Sequence, residues 1–215
     1  MTRFKVCCIR SVEEAALAVH HGAAALGLVS AMPSGPGVIE NDVIRQIALW
    51  APPSARTFLL TARTDADDIA RQARNFKINT VQLVDAVPFP SLVKLRGLLP
   101  DVRLVQVIHV RGDSSVCEAL QVAPLVDELL LDSGNPSLAV KELGGTGRLH
   151  DWTLSRRIVQ AVRLPVWLAG GLNPANARAA IEAVQPYGLD VCTGLRLSKS
   201  LDATMLEAFA RAVRG

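Results

Sequence analysis

The adjacent thiols Cys7 and Cys8 are the residues of this 215-residue chain whose type and position point most directly to chemistry. They close a short apolar run that predicts the first β-strand, and in a parallel α/β barrel the catalytic groups lie at that end of the strands. A thiol there can act as a general base or nucleophile when its pKa is lowered. The alternative is packing, because free cysteines are among the most buried residue types.

Asp132 is the second candidate, because it is an acidic residue that closes the apolar run Leu129-Leu-Leu131. Partial burial at a barrel mouth would raise its pKa and suit it to general-acid catalysis, whereas an exposed loop carboxylate is the common alternative. Cys7 and Asp132, from the first and sixth strands, would then face each other across the mouth. An acid opposite a base is the arrangement that moves protons between two positions of a sugar.

Glycines follow the seventh and eighth predicted strands, in Gly170-Gly171 and Thr193-Gly194. Such glycines let backbone N–H groups approach a phosphate closely, and the start of a short helix adds a favourable dipole. A tight turn is the alternative for Gly170-Gly171. The run Gly144-Gly-Thr-Gly147 is either a flexible lid or an ordinary loop, and it lacks the spacing of a Walker motif.

The sequence alternates regularly between short apolar runs and longer amphipathic segments, and these elements must position the candidate residues. Eight strands alternating with eight helices predict a single-domain (β/α)8 TIM barrel over residues 1–215, with a doubly wound open sheet as the runner-up. The absence of GxGxxG after the first strand disfavours a dinucleotide-binding sheet. The predicted strands are residues 4–8, 25–29, 56–60, 80–84, 103–107, 128–132, 166–169 and 189–192. The predicted helices are residues 12–21, 41–50, 66–76, 90–98, 117–123, 154–162, 175–184 and 202–213.

Composition narrows the class of protein further. Half of the residues (50%) are hydrophobic, which is enough for an ample core. The net charge of +3 does not indicate a nucleic-acid-binding protein. Its four cysteines show neither a disulfide framework nor a metal-ligand spacing. No signal peptide or apolar run of membrane-spanning length is apparent, so we expect a cytoplasmic protein without membrane contact, either a monomer or a homodimer.

Taken in order, these motifs resemble the phosphoribosylanthranilate isomerase family over nearly the whole chain. The opening Lys5-Val-Cys-Cys-Ile-Arg10 is similar to the family's Lys-Ile-Cys-Gly-Ile, and Val81-Gln-Leu83 is similar to its Val-Gln-Leu-His-Gly strand. The other matching segments are Leu130-Leu-Asp132, Gly144-Gly-Thr-Gly147 with Asp151-Trp152, Leu168-Ala-Gly-Gly-Leu-Asn-Pro174 and Asp190-Val191.

The resemblance implies an Amadori rearrangement in tryptophan biosynthesis, in which a phosphorylated aminoaldose becomes an aminoketose without a cofactor. Asp132 would be the general acid that protonates the ribose ring oxygen, and Cys7 would be the general base that removes the C2′ proton. The implied phosphate-binding residues are Gly170, Gly171, Thr193 and Gly194. The implied contacts with the rest of the substrate are Arg10, Gln82 and Asp190, the last of them near the anthranilate end.

The chain departs from the family pattern where the substrate carboxylate would bind. The family's loop after strand 2 usually reads Lys-Ser-Pro-Arg, and its arginine pairs with the anthranilate carboxylate, whereas this chain has Ser34-Gly-Pro-Gly37. Loss of such a partner should weaken ground-state binding. Arg10 or Arg196 is a candidate replacement cation, although an exposed helical position is favoured for Arg196. Cys8 stands where the family has glycine, and we expect it to pack or to mark a site that has drifted.

Three other functions stay open from the sequence. The missing arginine favours a divergent isomerase of another phosphorylated sugar. A non-catalytic phosphometabolite-binding barrel would keep the glycine loops but would need neither Cys7 nor Asp132. A redox or metal site at Cys7 and Cys8 has weak support, because adjacent cysteines without further ligands rarely bind a metal.

Overall fold

The structure, a computed structural model, describes residues 2–33, 35–145 and 147–215, so Ser34 and Thr146 of the motifs above lie outside it. In the described residues eight parallel strands close into a barrel in chain order, which confirms the predicted (β/α)8 architecture. The strands are β1 Arg3–Val6, β2 Ala25–Val29, β3 Arg56–Thr61, β4 Thr80–Leu83, β5 Arg103–His109, β6 Glu128–Asp132, β7 Val166–Leu168 and β8 Gly188–Val191. The helices are α1 Val12–His20, α2 Asn41–Trp50, α3 Ala66–Phe76, α4 Phe89–Leu98, α5 Ser114–Val122, α6 Trp152–Ala161, α7 Ala177–Val184 and α8 Ala203–Arg214.

Two boundaries near the proposed site differ from the sequence prediction for identifiable reasons. Strand β1 ends at Val6, before both cysteines, and Cys8 adopts a left-handed backbone conformation with φ +61° that no strand residue can hold. Helix α7 starts at Ala177, because the Asn173 side chain accepts hydrogen bonds from the N–H groups of Ala175 and Asn176 and fixes a turn ahead of the helix.

The barrel interior is a packed apolar layer that is closed at the bottom by a buried polar cluster. The Glu128 carboxylate accepts two hydrogen bonds from the Arg56 guanidinium, at 2.6 and 3.0 Å, and one from Trp167 Nε1 at 2.7 Å. Gly188 leaves room for the indole, since a Cβ there would lie 2.4 Å from the Trp167 ring. This packing fills the amino-terminal end of the barrel, so the open space lies at the carboxyl ends of the strands.

A short hairpin that the sequence did not predict follows β8. Its strands, β9 Arg196–Leu197 and β10 Ser200–Leu201, pair antiparallel around Ser198 and Lys199, which have φ +47° and +74°. The prediction that Arg196 is an exposed helical residue is therefore wrong, and its side chain is 7% exposed. In the described part of the chain no helix has the length and apolar character needed to cross a membrane.

Candidate active site

A cavity of about 660 Å³, which includes the space open to solvent at its mouth, lies at the carboxyl ends of the strands. It brings together most of the residues that the sequence singled out. Cys7 and Asp132 both line it, as predicted for an acid and a base at one mouth. The other predicted site residues in its wall are Gln82, Gly170, Gly171, Asp190 and Thr193.

Asp132 is a buried carboxyl group at the end of β6. Its side chain is nearly removed from solvent, and this burial raises its pKa to about 6, although the Ser133 N–H donates to Oδ1 at 2.7 Å and favours the charged form. Gly144 lies directly against it, since a Cβ at Gly144 would be 2.6 Å from Asp132 Oδ2. The φ of +129° at Gly144 is open to glycine, which explains how the backbone comes so close. A carboxyl group with this pKa can both hold and release a proton near neutrality.

Cys7 lies beside a buried ion pair that the sequence analysis did not identify. Lys5 Nζ donates to Asp190 Oδ2 at 2.7 Å, and both side chains are buried. Gly27 leaves space for the thiol and the ammonium group, because a Cβ there would lie 2.8 Å from Cys7 Sγ and 3.1 Å from Lys5 Nζ. Burial opposes the charge on Lys5, but Asp190 and Cys7 outweigh it and the Lys5 pKa is raised. The thiol therefore has a permanent cation as its neighbour.

Asp190 is thus engaged inside the protein rather than free in the cavity. Its Oδ2 is held by Lys5, while its buried Oδ1 has no hydrogen-bond partner among the described residues. Gln82 is similar, since its side chain is buried in the cavity wall and its Oε1 lacks a partner in the same part of the chain. Both unpaired oxygens are acceptors that a substrate hydroxyl group can satisfy. Arg10 is not in the described cavity wall, and its predicted substrate contact stays a prediction.

The glycines after β7 and β8 are packed closely against neighbouring loops. Gly170 and Gly171 have φ +83° and +63°, and a Cβ at Gly171 would lie 2.9 Å from the Arg148 carbonyl carbon. A Cβ at Gly194 would lie 2.0 Å from the Leu172 carbonyl oxygen, so only glycine fits there, although Gly194 itself is not part of the described cavity wall. The glycine requirement at these positions is therefore steric as well as conformational.

Arg196 is a clamp on the loop that carries the cysteines. Its guanidinium pairs with the Glu14 carboxylate at 2.9 and 3.0 Å and donates to the Cys8 carbonyl oxygen at 2.5 Å and the Cys7 carbonyl oxygen at 3.5 Å. Glu14 also accepts from the Arg10 N–H at 3.0 Å and the Leu201 N–H at 3.2 Å. Both terminal nitrogens of Arg196 are bound to the protein, and its side chain is not in the described cavity wall. Arg196 therefore does not supply the replacement cation for a substrate carboxylate that the sequence suggested.

Lys5 and Glu14 are parts of this site that were not predicted from the sequence. A lysine inside an otherwise apolar strand is a signal that could have found Lys5, because unpaired lysine is almost never fully buried. Glu14 gave no comparable signal, since an acidic residue in the first turn of a helix is ordinary. Its partner Arg196 is 182 residues away in the chain, and only the closure of the barrel brings the two together.

Comparison with known proteins agrees with this geometry. A family model described as N-(5'phosphoribosyl)anthranilate (PRA) isomerase matches residues 4–211. N-(5'-phosphoribosyl)anthranilate isomerase 2 of Methanosarcina mazei is 35% identical over 204 residues, which is 94% of this chain and 89% of the relative. The corresponding isomerase of Methanocella arvoryzae is 34% identical over 215 residues, covering 100% of this chain and 99% of the relative.

Solved structures of phosphoribosylanthranilate isomerases are similar to this chain over its full length. The phosphoribosyl anthranilate isomerase of Thermotoga maritima superposes with a TM-score of 0.85 at 27% identity, covering 100% of both chains. A second isomerase structure, in complex with reduced 1-(o-carboxyphenylamino)-1-deoxyribulose 5-phosphate, has a TM-score of 0.82 at 25% identity over the full length of both chains. From its match to the family model over nearly its whole length, the chain belongs to the N-(5'-phosphoribosyl)anthranilate isomerase family.

Proposed function

We propose that this protein converts N-(5'-phosphoribosyl)anthranilate to 1-(o-carboxyphenylamino)-1-deoxyribulose 5-phosphate, a step of tryptophan biosynthesis, with Asp132 as general acid and Cys7 as general base. Family membership supports the reaction. The observation that supports the two roles is a single cavity whose wall holds a buried carboxyl group with a pKa of about 6 and a thiol next to a cation.

The first step opens the ribose ring. The proton of the Asp132 carboxyl group moves to the ring oxygen, the bond between that oxygen and C1′ breaks, and the nitrogen lone pair forms the protonated Schiff base at C1′. A carboxyl group whose pKa lies near the working pH transfers this proton with little penalty in either direction. Burial under the Gly144 backbone keeps water from the carboxyl group and maintains the raised pKa.

The second step removes the proton from C2′. The Cys7 thiolate takes this proton, the C2′–H electrons form the C1′=C2′ double bond, and the Schiff-base nitrogen regains its lone pair. The resulting enolamine becomes the ketone when its hydroxyl proton leaves C2′–OH and a proton returns to C1′. The Lys5 ammonium group, which is bound to Asp190, lies beside the Cys7 sulfur where this proton transfer would take place.

The phosphate would bind in the cavity at the loops after β7 and β8, against the backbone N–H groups of Gly170, Gly171 and Thr193. A contact with Gly194, which is not in the described cavity wall, stays a prediction. Backbone donors at such loops bind a phosphate without a lysine or arginine. The positions of Gly144 and Arg148 support this assignment, because Gly144 lies against the Asp132 carboxylate and the Arg148 backbone lies against Gly171. No cofactor enters this scheme. The monomer or homodimer state and the cytoplasmic location stay predictions.

A second function is favoured by the charge of the cavity. None of the residues that line the cavity in the described part of the chain is a lysine or arginine, and Gly37 stands where the family pattern has arginine. An anthranilate carboxylate would therefore bind without the usual bidentate partner. This observation favours, as the second candidate, an isomerase of another phosphorylated aminosugar that carries no carboxylate.

One experiment separates the two functions. The loss of phosphoribosylanthranilate fluorescence is followed for the purified protein, and the same assay is run by absorbance on the aniline analogue, which lacks the carboxylate. Turnover of the anthranilate substrate with a higher kcat/KM than the analogue supports the proposed function. Absence of turnover of the anthranilate substrate at high enzyme concentration, with turnover of the analogue, would replace it by the second function.

A further inference from the structure

Cys8 and Cys192 bring two thiols into direct contact at the mouth of the barrel. Their sulfur atoms are 2.7 Å apart, although the residues are separated by 184 positions in the chain. Cys8 follows β1 and Cys192 follows β8, and these two strands are neighbours in the barrel. Both side chains line the cavity, Cys8 buried and Cys192 partly exposed.

The surrounding structure holds the two sulfurs in this position. Val6 and Val191 are register partners across the two strands, and the Cys7 N–H donates to the Val191 carbonyl oxygen at 2.8 Å. The Cys8 Sγ also contacts the Pro36 carbonyl oxygen at 3.6 Å. A disulfide bond is about 2.05 Å long, so bond formation needs the sulfurs to approach by less than about 1 Å.

The backbone at Cys8 is unusual for a residue with a side chain. Its φ of +61° lies in the left-handed region, where glycine is the ordinary occupant. The conformation directs the Cys8 side chain between Gly37 and Cys192, because a Cβ at Gly37 would be 2.8 Å from the Cys8 sulfur. A packing role alone does not need a thiol at this position, whereas a partner for Cys192 does.

We propose that Cys8 and Cys192 form a reversible dithiol–disulfide pair that a hydroperoxide oxidises, a modification site at the edge of the cavity. The Cys192 thiolate attacks the terminal peroxide oxygen, so that an S–O bond forms, the O–O bond breaks and the alcohol or water leaves. The Cys8 sulfur then attacks Cys192 Sγ, the S–S bond forms, the S–O bond breaks and water leaves with the Cys8 proton. The two thiols supply the two electrons that reduce the peroxide, and a low-molecular-weight thiol reverses the reaction.

The surroundings of the two sulfurs assign these roles. The hydrogen bond with Cys8 and the nearby Arg196 lower the pKa of Cys192, which makes it the more readily ionised thiol. The hydrogen bond with Cys192 raises the pKa of Cys8, and burial adds to this effect. Cys192 is also the more exposed of the two. The attacking thiolate is therefore Cys192, and the buried Cys8 resolves the oxidised product.

The test counts thiols after oxidation. The reduced protein is treated with equimolar hydrogen peroxide, denatured and titrated with Ellman's reagent, and its mass is measured. We expect the four thiols of the wild type to fall to two, with a mass lower by two hydrogen atoms and full recovery after dithiothreitol. Four remaining thiols, or a mass gain without a two-thiol loss, would overturn the proposal.

Four single-cysteine variants identify the pair. Cys117→Ser, at an exposed cysteine far along the chain, and Cys7→Ser should both still lose two thiols. Cys192→Ser and Cys8→Ser should form no disulfide bond and so should lose no pair of thiols. The two variants are prepared separately so that one unstable variant does not decide the result. A two-thiol loss that persists in Cys192→Ser, or that disappears in Cys7→Ser, would show that the pair is not Cys8 with Cys192 and overturn the assignment.

Discussion

Cys8 occupies the space that a side chain at residue 37 would need. A Cβ built on Gly37 would lie 2.4 Å from Cys8 Cβ and 2.8 Å from its sulfur, and Gly37 itself has φ +83°. The two departures from the family pattern, cysteine for glycine at residue 8 and glycine for arginine at residue 37, are therefore one coupled steric change. The Cys8 side chain fills the volume that glycine leaves at residue 37.

This coupling predicts the behaviour of an arginine restored at residue 37. Gly37→Arg alone should destabilise the protein by about 1–3 kcal/mol, because the new side chain overlaps Cys8. Adding Cys8→Gly removes the side-chain overlap and should recover part of the loss, while the strain of a positive φ at residue 37 remains. The double variant should also have a lower KM for phosphoribosylanthranilate than the wild type. Urea denaturation and steady-state kinetics measure both effects. Strictly additive changes in the double variant would contradict the coupling.

The raised pKa of Asp132 predicts a pH dependence of stability. The folded-state pKa of about 6 exceeds the ordinary value of 3.8, so the folded protein holds the proton more tightly than the unfolded chain. The resulting stabilisation is full below pH 3.8 and is lost as the pH rises through about 6. Relative to Asp132→Asn, the wild type should lose about 3 kcal/mol across this range.

Denaturant unfolding at several pH values measures this difference between wild type and variant. Asp42→Asn, at a carboxylate with 82% exposure, is the matched control for removing one negative charge. A stability difference between the wild type and Asp132→Asn that stays constant with pH would show that Asp132 titrates at its ordinary pKa.

The buried pair of Lys5 and Asp190 predicts strong coupling between two substitutions. Lys5→Met leaves a buried carboxylate without its partner and should cost about 3–5 kcal/mol. Lys5→Met combined with Asp190→Leu should cost less than Lys5→Met alone, since neither charge is then left buried. The exposed pair of Lys94 and Asp67, with 55% and 51% exposure, is the control and should couple by no more than about 1 kcal/mol. Each pair is measured as a double-mutant cycle. Equal coupling energies in the two cycles would show that Lys5 and Asp190 do not form a strongly coupled buried ion pair.

The Arg196 clamp predicts an effect on the catalytic loop rather than on substrate binding. Arg196→Lys keeps the charge but cannot contact Glu14 and the Cys8 carbonyl oxygen together, so kcat should fall about tenfold or more with KM little changed. Arg178→Lys, at an exposed pair with Glu182, is the control and should leave kcat unchanged. A rise in KM with constant kcat would indicate instead that Arg196 binds the substrate.

The sequence predicted the barrel well because each strand and helix carries its own local pattern. The position of Cys7 and Asp132 at the barrel mouth was predictable in the same way, since each lies at the end of an apolar run. The pair of Lys5 with Asp190 and the clamp of Arg196 on Glu14 could not be found, because their partners are 185 and 182 residues apart in the chain. The hairpin was missed for a local reason, as its turn residues Ser198 and Lys199 have positive φ without being glycine.

The proposed roles of Asp132 as acid and Cys7 as base are tested by the kcat of their variants. Single-turnover loss of phosphoribosylanthranilate fluorescence is measured for Asp132→Asn and Cys7→Ser, with Cys117→Ser as the control. We expect kcat to fall about 10²–10⁴-fold for each of the two variants and to stay at the wild-type value for the control. A kcat within a few-fold of wild type for either Asp132→Asn or Cys7→Ser, in a variant that folds normally, would show that the residue does not have the proposed role.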